Sequence, residues 1–380
     1  MKIVIAPDSF KGTLTSKEVA ELIEKGIRRV FPQAKIVKVP LSDGGEGTVD
    51  ALIEARGGKV IHKKVTSPLG RKIEAYFGIL SDGVTAIIEM AQASGLSLVP
   101  KEKRNPLIAT TYGTGELIKE ALHRRCKKII IGIGGSATVD GGAGMAQALG
   151  VKLLNKRGKE IPFGGGGLGG IVKIEMDELY SMIGNVEVIV ASDVNNPLCG
   201  EKGAAKIYGP QKGATPEMIE VLDKNLSHFA YMIKKFLNKR VKNIPGSGAA
   251  GGLGAGLIAF LGAKLCSGVE LMIELSYLKE KIKGADLVIS GEGRIDEQTM
   301  YGKTPIGVAR VAKRENIPAI LIGGEIRGDV SGLYKEGVSA LMSSIGQVSS
   351  LSQVIENSRG SLIKASERAM QLVKVGCFLR

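Results

Sequence analysis

Lys2-Ile3-Val4-Ile5-Ala6-Pro7-Asp8-Ser9-Phe10-Lys11-Gly12, followed at once by Thr13-Leu14-Thr15-Ser16-Lys17-Glu18, is the stretch that decides the fold class. A short apolar run that breaks at Pro7-Asp8-Ser9 reads as a strand ending in a polar turn. Thr15 and Glu18 stand at the spacing of a capping box, in which a hydroxyl and a carboxylate satisfy the first free amides of a helix. Val19, Leu22, Ile23, Ile27 and Val30 then recur on one helical face, so the spacing predicts a helix to about Val30. Lys35–Val39 reads as the next strand, ending at Pro40-Leu41-Ser42-Asp43-Gly44-Gly45, and Thr48–Ala55 as the next helix. A β-α-β-α opening calls for a parallel sheet with helices on its faces.

Similar grammar returns at the far end. Ala285–Ile289 is an apolar strand predicted to end in Ser290-Gly291-Glu292-Gly293. Ile306–Lys313 is helical, and Ala319–Ile322 is a strand before Gly323-Gly324. Ser339–Ser343 is another strand, and a terminal helix covers about Ser361–Val373. Strands of matching character at both ends are expected to share one sheet. The middle differs. Lys59–Lys64, Lys72–Ile79 and Val84–Met90 read as a meander. A helix at Gly115–Ala121, a strand at Lys128–Ile133, a helix near Met145–Leu149 and a strand at Val186–Ala191 follow. The expectation is an α/β protein of two domains. A Rossmann- or flavodoxin-like parallel-sheet domain (1–58 and 280–380) is interrupted by an inserted mixed α/β domain (59–279), with the active site in the cleft between them. A chain of 380 residues suits two such domains.

Composition narrows the function classes. The formal net charge is +14, but the basic residues lie in short scattered patches such as Arg124-Arg125-Cys126-Lys127-Lys128. Aromatics are only 4%, with no Trp, so stacking material for single strands is scarce and no nucleic-acid partner is expected. A small anionic substrate fits the charge better. The four cysteines (Cys126, Cys199, Cys266, Cys377) form no CxxC pair, which argues against a zinc site or disulfide framework. Reduced cysteines and an N-terminus that enters a strand directly predict a cytoplasmic protein. Two uncharged runs, Ile244–Ala263 and Gly337–Ile355, hold seven glycines and six serines respectively; neither has the aliphatic density of a membrane span. Glycine, at 53 residues, is about twice its usual share. That excess suggests loops in which the main chain turns sharply or approaches a ligand.

Five segments place small or acidic residues after an apolar strand, the edge at which open α/β sheets bind ligands. In Asp8-Ser9-Phe10-Lys11-Gly12, a cation precedes a helix N-terminus and suits a phosphate or carboxylate, or else decorates a capped turn. Asp43-Gly44-Gly45-Glu46-Gly47-Thr48 lets two carboxylates face one point, for magnesium or for substrate hydroxyls, or forms a helix entry. Gly132-Ile133-Gly134-Gly135-Ser136-Ala137-Thr138-Val139-Asp140-Gly141-Gly142 is a long run of exposed amides with two hydroxyls, suited to cradling a polyphosphate. Its likeness to a dinucleotide fingerprint is weak, because further glycines and Asp140 stand where a helix should open. Ser192-Asp193-Val194-Asn195-Asn196-Pro197-Leu198 holds a carboxylate able to accept a hydroxyl proton or to bind magnesium, or makes an Asx turn. Gly291-Glu292-Gly293-Arg294-Ile295-Asp296 offers the arginine fork that binds carboxylates and phosphates, or a surface arginine. Gly302-Lys303-Thr304 fails as a Walker motif, since Glu297 stands where the earlier glycine belongs. No HExxH or GxSxG occurs, and the three histidines (His62, His123, His228) lie apart. Acid- and glycine-rich loops without histidine favour phosphoryl transfer, which relies on positioning and charge neutralisation.

These motifs resemble the type-1 glycerate kinase family. The resemblance runs in order through Ala6–Gly12, Ser42–Thr48, Gly134–Gly142, Ser192–Leu198, the glycine run Gly246–Gly256 and Gly291–Asp296, essentially the whole chain. It implies an ATP-dependent kinase acting on D-glycerate, on the 2-hydroxyl to give 2-phosphoglycerate (a glycerate 2-kinase), with ATP and Mg2+ required. On that resemblance Asp193 is expected as base or magnesium ligand. Lys11 and Arg294 would neutralise phosphate and the glycerate carboxylate, and Gly134, Gly135, Ser136 and Thr138 would line the ATP phosphates. Asp8, Asp43 and Glu46 would contact substrate, and Asp296 the metal. Rival readings are 3-phosphorylation, an NAD-dependent hydroxy-acid dehydrogenase whose ribose-binding acid would have to be Glu160, and a non-catalytic sugar-acid binder. A homodimer is the assembly to test.

Overall fold

The computed structural model describes residues 1–347 and 350–378, so Val348 and Ser349 of the second uncharged run lie outside the described residues. The chain divides into two compact units. One comprises 1–43, 50–56 and 269–380, the other 44–49 and 57–268.

The first unit is built on five parallel strands in the spatial order Val338–Ser343, Ala319–Ile326, Leu287–Ile295, Lys2–Ile5, Lys35–Lys38. The first strand of the chain thus lies beside one from residue 287 onward, with Ile3 opposite Leu287 and Ile5 opposite Ile289. Counted along the unit, the order is 2-1-3-4-5, that of a doubly wound sheet whose switch point falls between Lys2–Ile5 and Leu287–Ile295. Ile3, Val4 and Ile5 are all fully buried, as a parallel strand covered on both faces requires. The helix Ser16–Val30 begins with the complete capping box of Thr15 and Glu18. It buries Val19, Leu22, Ile23 and Ile27 in one cluster with Leu362, Ala365, Ala369 and Met370 of the helix Leu351–Phe378. Each Val, Leu, Ile or Met side chain among these contributes about 1.5–3 kcal/mol by leaving water.

Two strands run on past the glycines at which the sequence reading ends them: Ala319–Ile326 continues through Gly323-Gly324, and its neighbour does the same. Leu287–Ile295 does not stop before Ser290 but runs on through Gly291, Glu292, Gly293 and Arg294, paired with Ala319–Ile326 to its end. The glycines there serve close pairing: a Cβ on Gly291 would lie 2.1 Å from the Ile322 carbonyl oxygen.

The second unit carries a six-stranded sheet in the order Lys264–Cys266, Glu187–Ala191, Lys128–Gly132, Thr85–Glu89, Lys72–Leu80, Gly58–Thr66. The first four are mutually parallel, and the last two add as the antiparallel meander that the alternation predicts. A two-stranded ribbon joins Lys152–Leu154 to Lys173–Glu175. The helix Pro216–Leu237 is not among the elements read from the sequence. Its signals are nonetheless present: Thr215 caps it, Pro216 opens it, and Leu222, Leu226, Phe229 and Ile233 form its buried stripe. No helix of the described residues is long and apolar enough to cross a membrane.

Candidate active site

In the first unit, the two strands that flank the switch point end at a cavity of about 600 Å³. The first strand delivers Asp8, Ser9 and Lys11 to its wall, and the neighbouring strand delivers Glu292, Gly293 and Arg294. Asp43, Asp296 and Lys303 also line it. Acids and cations therefore alternate around one hollow of protein.

Asp8 is the deepest of these groups, 5% exposed. The Ser9 amide donates to its Oδ1 at 2.6 Å and the Thr304 hydroxyl to its Oδ2 at 2.8 Å. Burial, reinforced by repulsion from Asp43, raises the Asp8 carboxyl to about 7, because both effects penalise the charged form. Lys11 Nζ donates to Asp43 Oδ2 at 2.9 Å at the rim. Glu292 is likewise pushed up by burial, against the opposing hydrogen bond from Thr299 and the charge of Lys303. Lys303 Nζ lies 3.3 Å from Glu292 Oε2 and 3.5 Å from Asp296 Oδ1, tying the two acids together. Arg294 donates through Nε to Glu325 Oε2 at 2.9 Å and remains 56% exposed, so its guanidinium still faces solvent and any incoming anion.

The second unit gathers its own set at the carboxyl ends of its parallel strands, where Glu89, Gly132 and Ala191 stand side by side. The Gly44–Val49 segment packs over them so closely that a Cβ on Gly132 would come within 2.1 Å of the Gly44 carbonyl oxygen. Glu89, almost wholly buried, accepts from the Val49 amide at 2.7 Å and holds that segment from below. Glu46 is exposed. Asp193 is also exposed, its Oδ1 oriented by the Ser267 hydroxyl and the Gly268 amide, both at 2.9 Å.

The glycine-rich loop after Gly132 is braced from inside. Asp140, fully buried, accepts from the Thr111 amide and hydroxyl at 2.8 Å each, and from the Gly142 and Gly144 amides at 3.1 and 3.2 Å. Burial raises its carboxyl even so. Lys212, 2% exposed, donates to Ser136 Oγ at 2.9 Å and to the Thr138 carbonyl at 2.7 Å. Burial pushes its ammonium down to about 7.

A sequence profile of the glycerate kinase family matches residues 3–374. The chain belongs to the glycerate kinase family. Glycerate 2-kinase of Escherichia coli (strain K12) is 52% identical over 376 residues, 99% of this chain and 99% of that one. Glycerate kinase of Haemophilus influenzae is 51% identical over 373 residues, covering 98% and 99%, and that of Bacillus subtilis (strain 168) 54% over 343 residues, 90% of each. A crystal structure from Salmonella typhimurium LT2 assigned to glycerate kinase 2 matches with a TM-score of 0.89 at 47% identity, over 99% of both chains.

Within this member of the family, the residues singled out from sequence fall into two groups. Asp8, Lys11, Asp43, Arg294 and Asp296 line the same cavity in the first unit. Glu46, Gly134, Gly135, Ser136, Thr138 and Asp193 belong to the second unit. Sequence reasoning passes over Lys212 and Glu89, and weighs Lys303 and Thr304 only as a failed Walker match. Thr304 opens the helix Thr304–Arg314 directly after Gly302 and Lys303, so the failed Walker match did mark a polar helix entry. Lys212 and Glu89 carry no motif at all; only their burial reveals them.

Proposed function

We propose that this chain transfers the γ-phosphoryl group of ATP to D-glycerate, on the 2-hydroxyl, releasing ADP and 2-phosphoglycerate in the cytoplasm. The observation that carries the reading is the cavity of the first unit, whose sheet order supports a flavodoxin-like assignment. A hydroxy acid needs a cation for its carboxylate and acceptors for its hydroxyls. Arg294 and Lys11 supply the first, Asp8 and Asp43 the second. Glu46 is a further hydroxyl contact in this reading.

The loop amides of Gly134 and Gly135, with the Ser136 and Thr138 hydroxyls, would receive the nucleotide phosphates. Among the described residues no group of three His, Cys, Asp or Glu is placed to hold a metal ion. That composition still fits magnesium, which commonly binds through one or two carboxylates together with substrate phosphates and water. Asp193, oriented by Ser267 and Gly268, would be that carboxylate or the acceptor of the hydroxyl proton, and the ion would supply charge neutralisation. Asp296 already faces Lys303 and caps the turn Glu297–Tyr301, which leaves Asp193 the better placed of the two. The dehydrogenase reading has little support: Glu160 is exposed and faces Gln147.

The test supplies ATP, Mg2+ and D-glycerate, with enolase to consume the product. Consumption by enolase alone is the expected result. A requirement for added phosphoglycerate mutase would move the phosphoryl group to the 3-hydroxyl, and ADP formation indifferent to glycerate would end the reading.

A further inference from the structure

Lys212 sits on the short turn Pro210–Lys212 and is 2% exposed. Both hydrogen-bond acceptors of its ammonium, Ser136 Oγ and the Thr138 carbonyl, are neutral. The carboxylate that acts on it is Asp140, and Asp140 is itself held by Thr111, Gly142 and Gly144. A second cation, Arg104, holds the same turn, its Nη1 donating to the Gln211 carbonyl at 3.2 Å. A buried ammonium with neutral partners is unfavourable unless a counter-charge completes it.

We propose that Lys212 is a positioning residue of the nucleotide site, holding Ser136 and Thr138 in register and providing the buried positive charge against which the polyphosphate binds. The proposal rests on the reading of the Gly132–Gly144 loop as the phosphate cradle. It carries a consequence that a purely structural lysine lacks. Free Lys212 titrates at about 7, and a polyanion beside it favours the protonated form. Above that pH, nucleotide binding must therefore take up a proton; well below it, the lysine is already charged and uptake disappears.

The experiment is calorimetric titration of ADP with magnesium into the full-length protein, at pH 6 and pH 8, in buffers of different ionisation enthalpy. The wild type is expected to take up a substantial part of one proton per ADP at pH 8 and little at pH 6. Lys212→Met should abolish the uptake and weaken ADP by about 10- to 100-fold, the loss of one charge-assisted contact. Its melting temperature without nucleotide should change little, since relief of the buried ammonium's desolvation offsets the loss of its two hydrogen bonds and of its attraction to Asp140. Lys212→Arg should bind with little pH dependence, its guanidinium being charged throughout. No uptake by the wild type at pH 8 would overturn the proposal without any variant. So would uptake that persists in Lys212→Met, which would assign the proton to Asp140, or a lowered melting temperature with normal ADP affinity. Gly134→Val, which crowds the loop itself, separates the two levels. If it weakens ADP and Lys212→Met does not, the lysine's role alone falls; if neither does, the cradle reading falls with it.

Discussion

Asp8→Asn should stabilise the protein at alkaline pH while removing a carboxylate that lines the proposed glycerate cavity. The Asp8 carboxyl is raised from 3.8 to about 7 in the folded chain. Between those values the native state keeps a proton that the unfolded chain has released, so stability falls as pH rises and is fully lost from this source above about 7. At 1.36 kcal/mol per pKa unit, the whole effect is about 4 kcal/mol, of which about 2–3 kcal/mol develops between pH 5 and pH 8. Asparagine keeps the shape and avoids the buried charge. One of its amide faces meets a donor, either the Ser9 amide or the Thr304 hydroxyl, at a cost of about 1 kcal/mol that does not vary with pH. The difference in stability between variant and wild type should therefore grow with pH. Because the chain has no Trp, far-UV circular dichroism in urea at pH 5, 6.5 and 8 is the suitable assay. Neighbouring substitutions give opposite signs: Asp43→Asn removes a repulsion and should flatten the wild-type pH dependence, whereas Thr304→Val removes a hydrogen bond to the anion and should steepen it. Parallel pH profiles for wild type and Asp8→Asn would refute the reasoning.

Two further substitutions address binding and loop geometry. Arg294→Ala should raise KM for glycerate by about 10- to 100-fold and leave KM for ATP nearly unchanged, with Arg294→Lys restoring little because the planar fork is lost; steady-state kinetics with each substrate varied decides it, and equal rises in both constants would refute it. Gly251→Ala should lower the melting temperature by several degrees and weaken ADP, since Gly251 has a φ of +70° and its Cβ would fall 1.8 Å from the Thr138 carbonyl oxygen; a variant that melts and binds like the wild type would show that the loop tolerates displacement.

What could be read from sequence follows the range of the interactions involved. The capping box of Thr15 and Glu18, the hairpin alternation of 58–89 and the run of glycines after Gly132 are each visible as a pattern within a short stretch of chain. The continuation of Leu287–Ile295 depends on the fit of Gly291 against Ile322, a partner strand away, so glycine looked like a turn where it serves pairing. Lys212 is more distant still from Ser136, by 76 residues, and nothing around Pro210-Gln211-Lys212 distinguishes it from a surface lysine. Thr304 and Asp8 meet across 296 residues. Motifs mark where main chain must bend; the charged groups that act from beneath those bends come from elsewhere in the chain and become legible only through burial.

Asp8 and Lys212 make opposite demands on pH, and this yields a last test. Each is shifted to about 7, but in the roles proposed above Asp8 would accept a substrate hydroxyl most strongly as the anion, whereas Lys212 would attract phosphate only as the cation. Lowering the pH through 7 protonates Asp8, so kcat/KM for glycerate should fall on the acid side. Raising it through 7 discharges Lys212, so kcat/KM for ATP should fall on the alkaline side. The two limbs belong to different substrates and should respond separately: Asp8→Asn removes the acid limb of the glycerate profile and leaves the alkaline limb of the ATP profile, and Lys212→Met does the reverse. If either variant moves both limbs together, the limbs report a global change in the enzyme rather than these two buried charges, and the division of labour assigned to them is wrong.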